Sequence, residues 1–306
     1  MGELKVDVPA GKYVVAVSGG VDSITLLDVV SKLSGVELVV AHFHHGIRGQ
    51  DADRDEQLVR ETAQKYGLAY ETDYGELGET VSEAHAREAR YLFLLAVRRK
   101  HQADGLILAH HKDDVVETIA INLIRGTGWR GLASLRSHKT IVRPLLKYEK
   151  NQLIAYAREH NLVWHEDASN VDQKYLRNYV RWTLIPEMVK LRPAIKDELF
   201  ALHESQVGLE QEISDEIKKW VDGHVSNSNE LIRYELIMLP QRVGLEVLQE
   251  LIRRVGGQRL LSEQARSALM FAKTARPGAR FEAGGGVELK TKLRTLVVEA
   301  APKVVH

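Results

Sequence analysis

The sequence predicts an α/β fold, a doubly wound parallel sheet, followed by a second, mainly helical C-terminal domain that ends in a small β element. Three observations predict it. Short apolar runs alternate with amphipathic stretches over roughly the first 190 residues, the pattern of βαβ units. The first apolar run passes through two adjacent glycines directly into helical spacing. From Val189 onward the pattern becomes long, helical and rich in alternating charge.

The first strand is expected over residues 13–17 (YVVAV), β-branched and apolar as a buried parallel strand requires, with Ser18-Gly19-Gly20 as the turn and helical spacing after it. Residues 36–43 read as a second buried strand, 51–66 as a polar amphipathic helix and 68–72 as a short strand. A long helix follows at about 81–102, then a fourth strand at 105–109 (GLILA), a helix at 114–125, a glycine-rich loop at 126–137 and a helix at 150–160. The domain boundary is expected near Lys190, giving 1–190 and 191–306. In the second part a helix is expected to about Asp222, with further helices over 230–255 and 262–272. Residues 279–299 read as a β-hairpin arrangement turning at Gly284-Gly285-Gly286.

Ligands on doubly wound sheets collect at the carboxyl ends of the strands. Three polar clusters fall there: SGGVDS (residues 18–23), His42-Phe43-His44-His45 and His110-His111. In the first, a strand turns through Gly19 and Gly20 into a helix, so unpaired backbone N–H groups converge at the positive end of the helix dipole. That is an anion cradle, and nucleotide phosphate is its natural guest. The hydroxyls of Ser18 and Ser23 can add donors. The loop lacks the lysine of a Walker loop and the third glycine of a dinucleotide loop. It carries Asp22 instead, and an acid beside phosphates requires a divalent cation or a cationic group between them.

The second informative stretch is AHHKDDVVET, residues 109–118. Asp114 and Glu117, three apart near a helix start, share a face turned toward the strand end. Such a pair can bind a metal, clasp an ammonium group or simply suit the helix dipole. Arginines at 87, 90, 125, 130, 177 and 181 lie on a helix or in and beside loops, and as a set they fit phosphate recognition.

Composition bounds the function. The chain has 42 Lys+Arg and 42 Asp+Glu, yet residues 253–306 hold 11 basic against 4 acidic residues and 191–252 hold 6 against 12. A basic C-terminal end of this kind fits nucleic acid. The absence of cysteine excludes disulfides, thiolate metal sites, iron–sulfur clusters and enzyme-borne persulfide chemistry. No apolar run approaches the roughly 18–20 residues of a membrane span, so a cytoplasmic protein with no membrane partner is expected.

AHFHHGIRGQDADRDE (41–56), AREARY (86–91), AHHKDDVVETIAINLIRGTGWRGL (109–132), RPLL (143–146) and EDASNVDQKYLRNYVR (166–181) occur in the order found in tRNA(Ile)-lysidine synthetases, of the PP-loop ATPase (N-type ATP pyrophosphatase) superfamily. The similarity runs through roughly the first 190 residues, and KTARPGARFEAGGGVELK (273–290) resembles that family's tRNA-contacting domain. Two positions depart from the family pattern: Val115 stands where Gln is common, and His44 where Asn or Asp is common.

The resemblance implies a Rossmann-like PP-loop domain, ATP as co-substrate with Mg2+, and free L-lysine and tRNA(Ile) with a CAU anticodon as partners; a homodimer stays open. It implies adenylation of the wobble cytidine at the oxygen on carbon 2, attack by the lysine ε-amine, and release of AMP and pyrophosphate. On that reading Asp22, Asp114, Glu117 and Arg87 are catalytic, and Ser18, Gly19, Gly20, Asp22, Ser23, His42 and His110 bind the nucleotide. Asp114 and Glu117 hold lysine, while Arg177, Asn178 and Arg181 contact the RNA substrate. His45, His110 and His111 flank adenine or the adenylated base, and no permanent metal-ligand set is expected. The rivals are another PP-loop adenylating enzyme of tRNA modification and a non-catalytic nucleotide- or RNA-binding module.

Overall fold

The computed structural model describes residues 3–44, 50–75, 83–165, 176–226 and 229–301. Five parallel strands form the first sheet: β1 (Gly11–Ala16), β2 (Val36–His44), β3 (Ala69–Tyr74), β4 (Gly105–Ile107) and β5 (Ile141–Val142), in the order β3-β2-β1-β4-β5. Helices α1 (Val21–Ser31), α2 (Gln50–Lys65), α3 (Glu83–Lys100) and α4 (Lys112–Ile124) supply the crossovers, and α5 (Lys150–Glu159), after the last strand, joins them in covering the sheet. Alternation along β1 explains why both faces are apolar. Tyr13 and Val15 pack with Ile24 and Leu27 of α1 and Leu153 of α5, whereas Val14 packs with Phe93, Leu94 and Val97 of α3 on the opposite face.

The chain runs outward from β1 through β2 to β3, then returns to place β4 on the other side of β1. The connections after β1 and β4 therefore diverge, and the crevice at their carboxyl ends is the topological switch point where α/β sheets bind ligands. SGGVDS and His110-His111 flank that crevice. The two-residue strand β5, paired to β4 through Ile107 and Val142, carries Arg143 to the adjacent strand end.

Beyond the sheet, α6 (Leu176–Tyr179), a π-helical turn (Val180–Leu184) and α7 (Ile185–Leu191) form one near-continuous rod. The helix expected to run unbroken from Val189 stops at Leu191, because Pro193 cannot donate to the preceding turn. It resumes as α8 (Ile195–His224). The chain separates into two compact units, Met1–Val207 and Gly208–His306, the division lying within α8.

The second unit contains α9 (Arg233–Met238), α10 (Gln241–Arg254), α11 (Ser262–Thr274) and a four-stranded antiparallel sheet. That sheet orders β6 (Glu230–Ile232), β9 (Thr295–Ala300), β8 (Val287–Thr291) and β7 (Arg280–Gly284) side by side. Leu248, Ile252, Leu269, Leu289 and Leu296 form its core. Gly284, Gly285 and Gly286, with φ of +82°, +62° and +77°, make the turn between β7 and β8, conformations that residues with a Cβ rarely adopt. The helix expected over 230–255 is corrected on two counts. Residues 230–232 pair with β9 as a strand, and Pro240 separates α9 from α10.

Candidate active site

The first turn of α1 is assembled by Ser23. Its hydroxyl accepts the Ser18 backbone N–H at 3.1 Å and donates to the Gly20 carbonyl at 2.9 Å. That hydrogen is thus spent inside the loop, and the exposed Ser18 hydroxyl, 3.2 Å from Ser23 Oγ, is the one turned to solvent. Gly20 occupies the N-cap without a side-chain cap, and among the described residues the N–H groups of Gly19, Gly20, Val21 and Asp22 make no backbone hydrogen bond. An anion seated there would satisfy them. Gly19 has φ of +94°, and a Cβ on it would stand 3.2 Å from Asp55 Oδ1.

A strap closes over this loop. The His165 backbone N–H donates to the Gly19 carbonyl at 3.0 Å, and His165 Nδ1 lies 2.7 Å from Asp55 Oδ1. Because a peptide's C=O and N–H point in opposite directions, holding the Gly19 carbonyl turns the Gly20 N–H to the other side of the loop. Residues from α2 and from the segment after α5 thereby orient one donor of the cradle.

Asp22 projects from the first turn of α1 toward two basic groups. Its Oδ2 lies 3.3 Å from Lys150 Nζ and 3.6 Å from His111 Nε2, while its Oδ1 is buried with no hydrogen-bond partner among the described residues. Burial works to raise the Asp22 carboxyl, but His111 and Lys150 outweigh it and hold the group below the usual carboxylate range. The reciprocal holds for His111. Burial opposes its charge, and Asp22, Asp114 and Asp113 together raise its pKa above that of an ordinary histidine.

His111 Nε2 also lies 3.5 Å from Asp114 Oδ2, and the His111 backbone N–H donates to the same oxygen at 3.1 Å as the N-cap of α4. The two neighbouring acids of α4 divide their work. Asp113 receives the Lys150 backbone N–H at 2.9 Å and pairs with Lys196, so it fastens α5 and α8 to the first turn of α4. Asp114 faces the other way. Its Oδ1 is 3.6 Å from both Arg177 and Arg181, and Glu117, with a side chain only 4% exposed, is gripped by Arg181 through both oxygens and by Arg177 at 3.3 Å. Arg177 and Arg181 are four apart across α6 and the π-helical turn, so both reach the same acids.

The remaining sequence-predicted residues fall in three environments. His42 is 4% exposed and uses Nδ1 to bond the Val17 carbonyl at 2.9 Å, tying the carboxyl ends of β1 and β2 together. His110 is half-buried beside Arg143, and burial, reinforced by the neighbouring arginines, pushes it down to about 3. Arg87 is exposed on α3, its guanidinium 5.0 Å from the Tyr91 ring centre, and Asn178 is half-buried on α6. Val115 lies in the core, and His44 is buried against Asp53 and the Tyr74 ring, so neither departure from the family pattern opens a gap. His45 lies outside the described residues, as do parts of the 41–56 and 166–181 stretches. Among the described residues no group of three or more His, Asp or Glu converges as a metal cage. Sequence reasoning did not single out Lys150, Asp55, His165 or Arg143, whose partners lie far away in the chain.

With this geometry in view, comparison with known proteins identifies the domain. A family described as the PP-loop domain matches residues 1–188, more than half of the chain. The chain belongs to the PP-loop domain family. A PP-loop domain implies use of ATP, which agrees with an open anion cradle at the switch point. The tRNA(Ile)-lysidine synthase of Exiguobacterium sibiricum is 39% identical over 199 residues, 64% of this chain and 48% of that one. The protein of the same name from Bacillus subtilis is 34% identical over 259 residues, 77% of this chain and 54% of that one. The chain thus spans about half the length of the curated relatives it matches. Among solved structures, the U34-tRNA thiolase NcsA from Methanococcus maripaludis, with its [4Fe-4S] cluster, aligns with this PP-loop domain protein at a TM-score of 0.54 and 20% identity. That alignment covers 67% of this chain and 73% of that one, a likeness of fold alone. A chain without cysteine has no thiolate to hold such a cluster.

Proposed function

We propose that this PP-loop protein is an AMP-forming ligase that attaches lysine to carbon 2 of the wobble cytidine of tRNA(Ile) with a CAU anticodon. One observation carries the reading. A single buried histidine, His111, stands 3.6 Å from the acid of the phosphate loop and 3.5 Å from the first acid of the Asp114–Glu117 pair, so an anion site and a site for an ammonium group share an edge. The names of the relatives at 33–39% identity agree with it.

In the proposed reaction the oxygen on carbon 2 of cytidine attacks the α-phosphorus of ATP, and the bond to pyrophosphate breaks. The lysine ε-amine then forms a bond to carbon 2, and AMP leaves with that oxygen. The cradle N–H groups and the Ser18 hydroxyl would hold phosphate oxygens as charge develops on them. Mg2+ fits Asp22, whose buried Oδ1 is an unpartnered hard oxygen, since Mg2+ is usually held by one or two carboxylates together with phosphate oxygens and water. Bound there, it would screen the triphosphate. Asp114 and Glu117 would orient the lysine ammonium and accept its proton, in competition with Arg177 and Arg181. The basic stretch 253–306, within the proposed tRNA-contacting part 191–306, would add phosphate contacts, and action on tRNA accords with a cytoplasmic location.

The test is incubation with ATP, L-lysine and a CAU-anticodon tRNA(Ile) transcript, followed by nucleoside mass analysis. A lysine mass increment on cytidine is expected, and Asp22→Asn should lose AMP formation while still binding tRNA. AMP formation without that increment would favour a different adenylating modification. No AMP at all would favour a nucleotide-binding module.

A further inference from the structure

Arg143 is 8% exposed, and among the described residues no carboxylate pairs with it. A buried guanidinium without a counter-charge is costly, so what it touches is informative. Its Nε donates to Nδ1 of His110 at 3.2 Å, its Nη1 donates to the Arg136 carbonyl, and its backbone N–H donates to Ser137 Oγ at 2.8 Å. The two residues meet because they follow neighbouring parallel strands: His110 leaves the end of β4 and Arg143 the end of β5, with Leu108 N–H bonded to the Val142 carbonyl between them. Pro144 then restricts Arg143 to extended backbone, and fully buried Leu145 anchors the segment.

Arginine carries five N–H donors and no acceptor. A ring nitrogen that faces it must therefore present its lone pair. Nδ1 of His110 is so committed, which excludes both the imidazolium and the Nδ1–H tautomer and leaves the hydrogen on Nε2. We infer that Arg143 is a positioning residue that fixes His110 as an uncharged Nε2–H donor at the carboxyl end of β4, available to an oxygen of the bound nucleotide or of the base being adenylated. The assignment rests on the AMP-forming reading only for the identity of that oxygen.

Electrostatics act in the same direction. Burial is the largest influence keeping the ring neutral, Arg143, Arg87 and Arg90 oppose a positive charge, and Asp114 alone among these groups favours one. Nε2 lies on the side of the ring away from Arg143, and among the described residues it has no hydrogen-bond partner. A neutral donor of fixed direction can strengthen its bond as charge grows on the acceptor oxygen, and it does not lose that ability by titrating near pH 7. Arg87 and Arg90 supply cations to the same region, so His110 contributes direction and not charge.

Long-range proton–nitrogen correlation spectra of protein labelled with 15N in its histidine rings test the inference without any assay of activity, with His110 assigned from the His110→Gln variant. A protonated Nε2 and an unprotonated Nδ1 are expected in the wild-type protein from pH 5 to pH 8. An Nδ1–H tautomer, or an imidazolium at pH 7, would overturn the assignment whether or not the variants fold. In Arg143→Met the His110 signals should move to a mixture of tautomers, and the rate constant of AMP formation at saturating ATP should fall about 10-fold or more, with KM for ATP changing less than about 2-fold. Arg143→Lys, which keeps a donor of the same sign, should restore part of both. A fall in rate with unchanged His110 signals would mean that Arg143 acts only by tying down the Arg136 loop, and would also overturn the proposal.

Discussion

Arg181 grips Glu117 through both carboxylate oxygens, Nε to Oε1 at 2.5 Å and Nη2 to Oε2 at 2.9 Å. The pair joins the π-helical turn to the centre of α4, and the Glu117 side chain is only 4% exposed while that of Arg181 is 25% exposed. Bidentate geometry of this kind matches the planar fork of arginine to a carboxylate, and lysine could not replace it.

Removing one partner should therefore cost more than the pair contributes. Arg181→Met would leave a buried carboxylate with Arg177 alone, and a loss of about 2–3 kcal/mol is expected in urea unfolding at pH 7. Glu117→Gln combined with Arg181→Met should recover part of it. A double-mutant coupling below about 0.5 kcal/mol would show that the contact has no energetic weight.

The Gly19 turn is set by conformation and by crowding together. Its φ of +94° disfavours any side chain, and an added Cβ would stand 3.2–3.3 Å from the Asp55 side chain that holds His165. Gly19→Ala should lower stability by about 1–3 kcal/mol. It should also weaken ATP binding by about 10-fold or more, because the strap and the direction of the Gly20 N–H change with it. His165→Ala, at a part-exposed position, should leave unfolding unchanged and still weaken ATP binding. Calorimetric titration with ATP separates the two effects, and unaltered affinity in His165→Ala would refute a role for the strap.

These residues also indicate what the sequence could reveal. SGGVDS is legible because a turn from strand to helix with φ near +94° demands glycine locally, and AHHKDD because a strand end and a helix start adjoin in the chain. The α/β order follows from apolar spacing in the same way. Strand β5 escapes because two residues carry no period. Strand β6 escapes because ELIRYELI has helical spacing, and only pairing of Leu231 with Leu296 selects the extended form. Arg143, Lys150 and the Asp55–His165 pair were beyond reach for the same reason. Asp22 and Lys150 are 128 residues apart in sequence, Asp55 and His165 are 110 apart, and no local pattern encodes such a meeting.

The pH dependence of stability should centre on Asp28, a buried acid of α1. Its carboxylate accepts hydrogen bonds from Lys32 Nζ at 2.7 Å, the Tyr66 hydroxyl at 2.5 Å and the Tyr156 hydroxyl at 2.7 Å, joining α1 to the residue just after α2 and to α5. Burial alone would raise the group, but Lys32 and the two hydroxyls outweigh it and hold it below its ordinary value. A carboxyl depressed in the folded state stabilises fully above its unfolded pKa, near about 4, and that contribution disappears as pH falls through the folded value. Asp28→Asn keeps the shape but removes the charge and turns an acceptor oxygen into a donor facing donors. It should be less stable than wild type by about 2–3 kcal/mol at pH 7. Urea unfolding from pH 7 downward should show that difference constant to about pH 4 and shrinking at lower pH. A gap that stays constant to about pH 2.5 would mean that amide geometry, not the charge of Asp28, sets the cost.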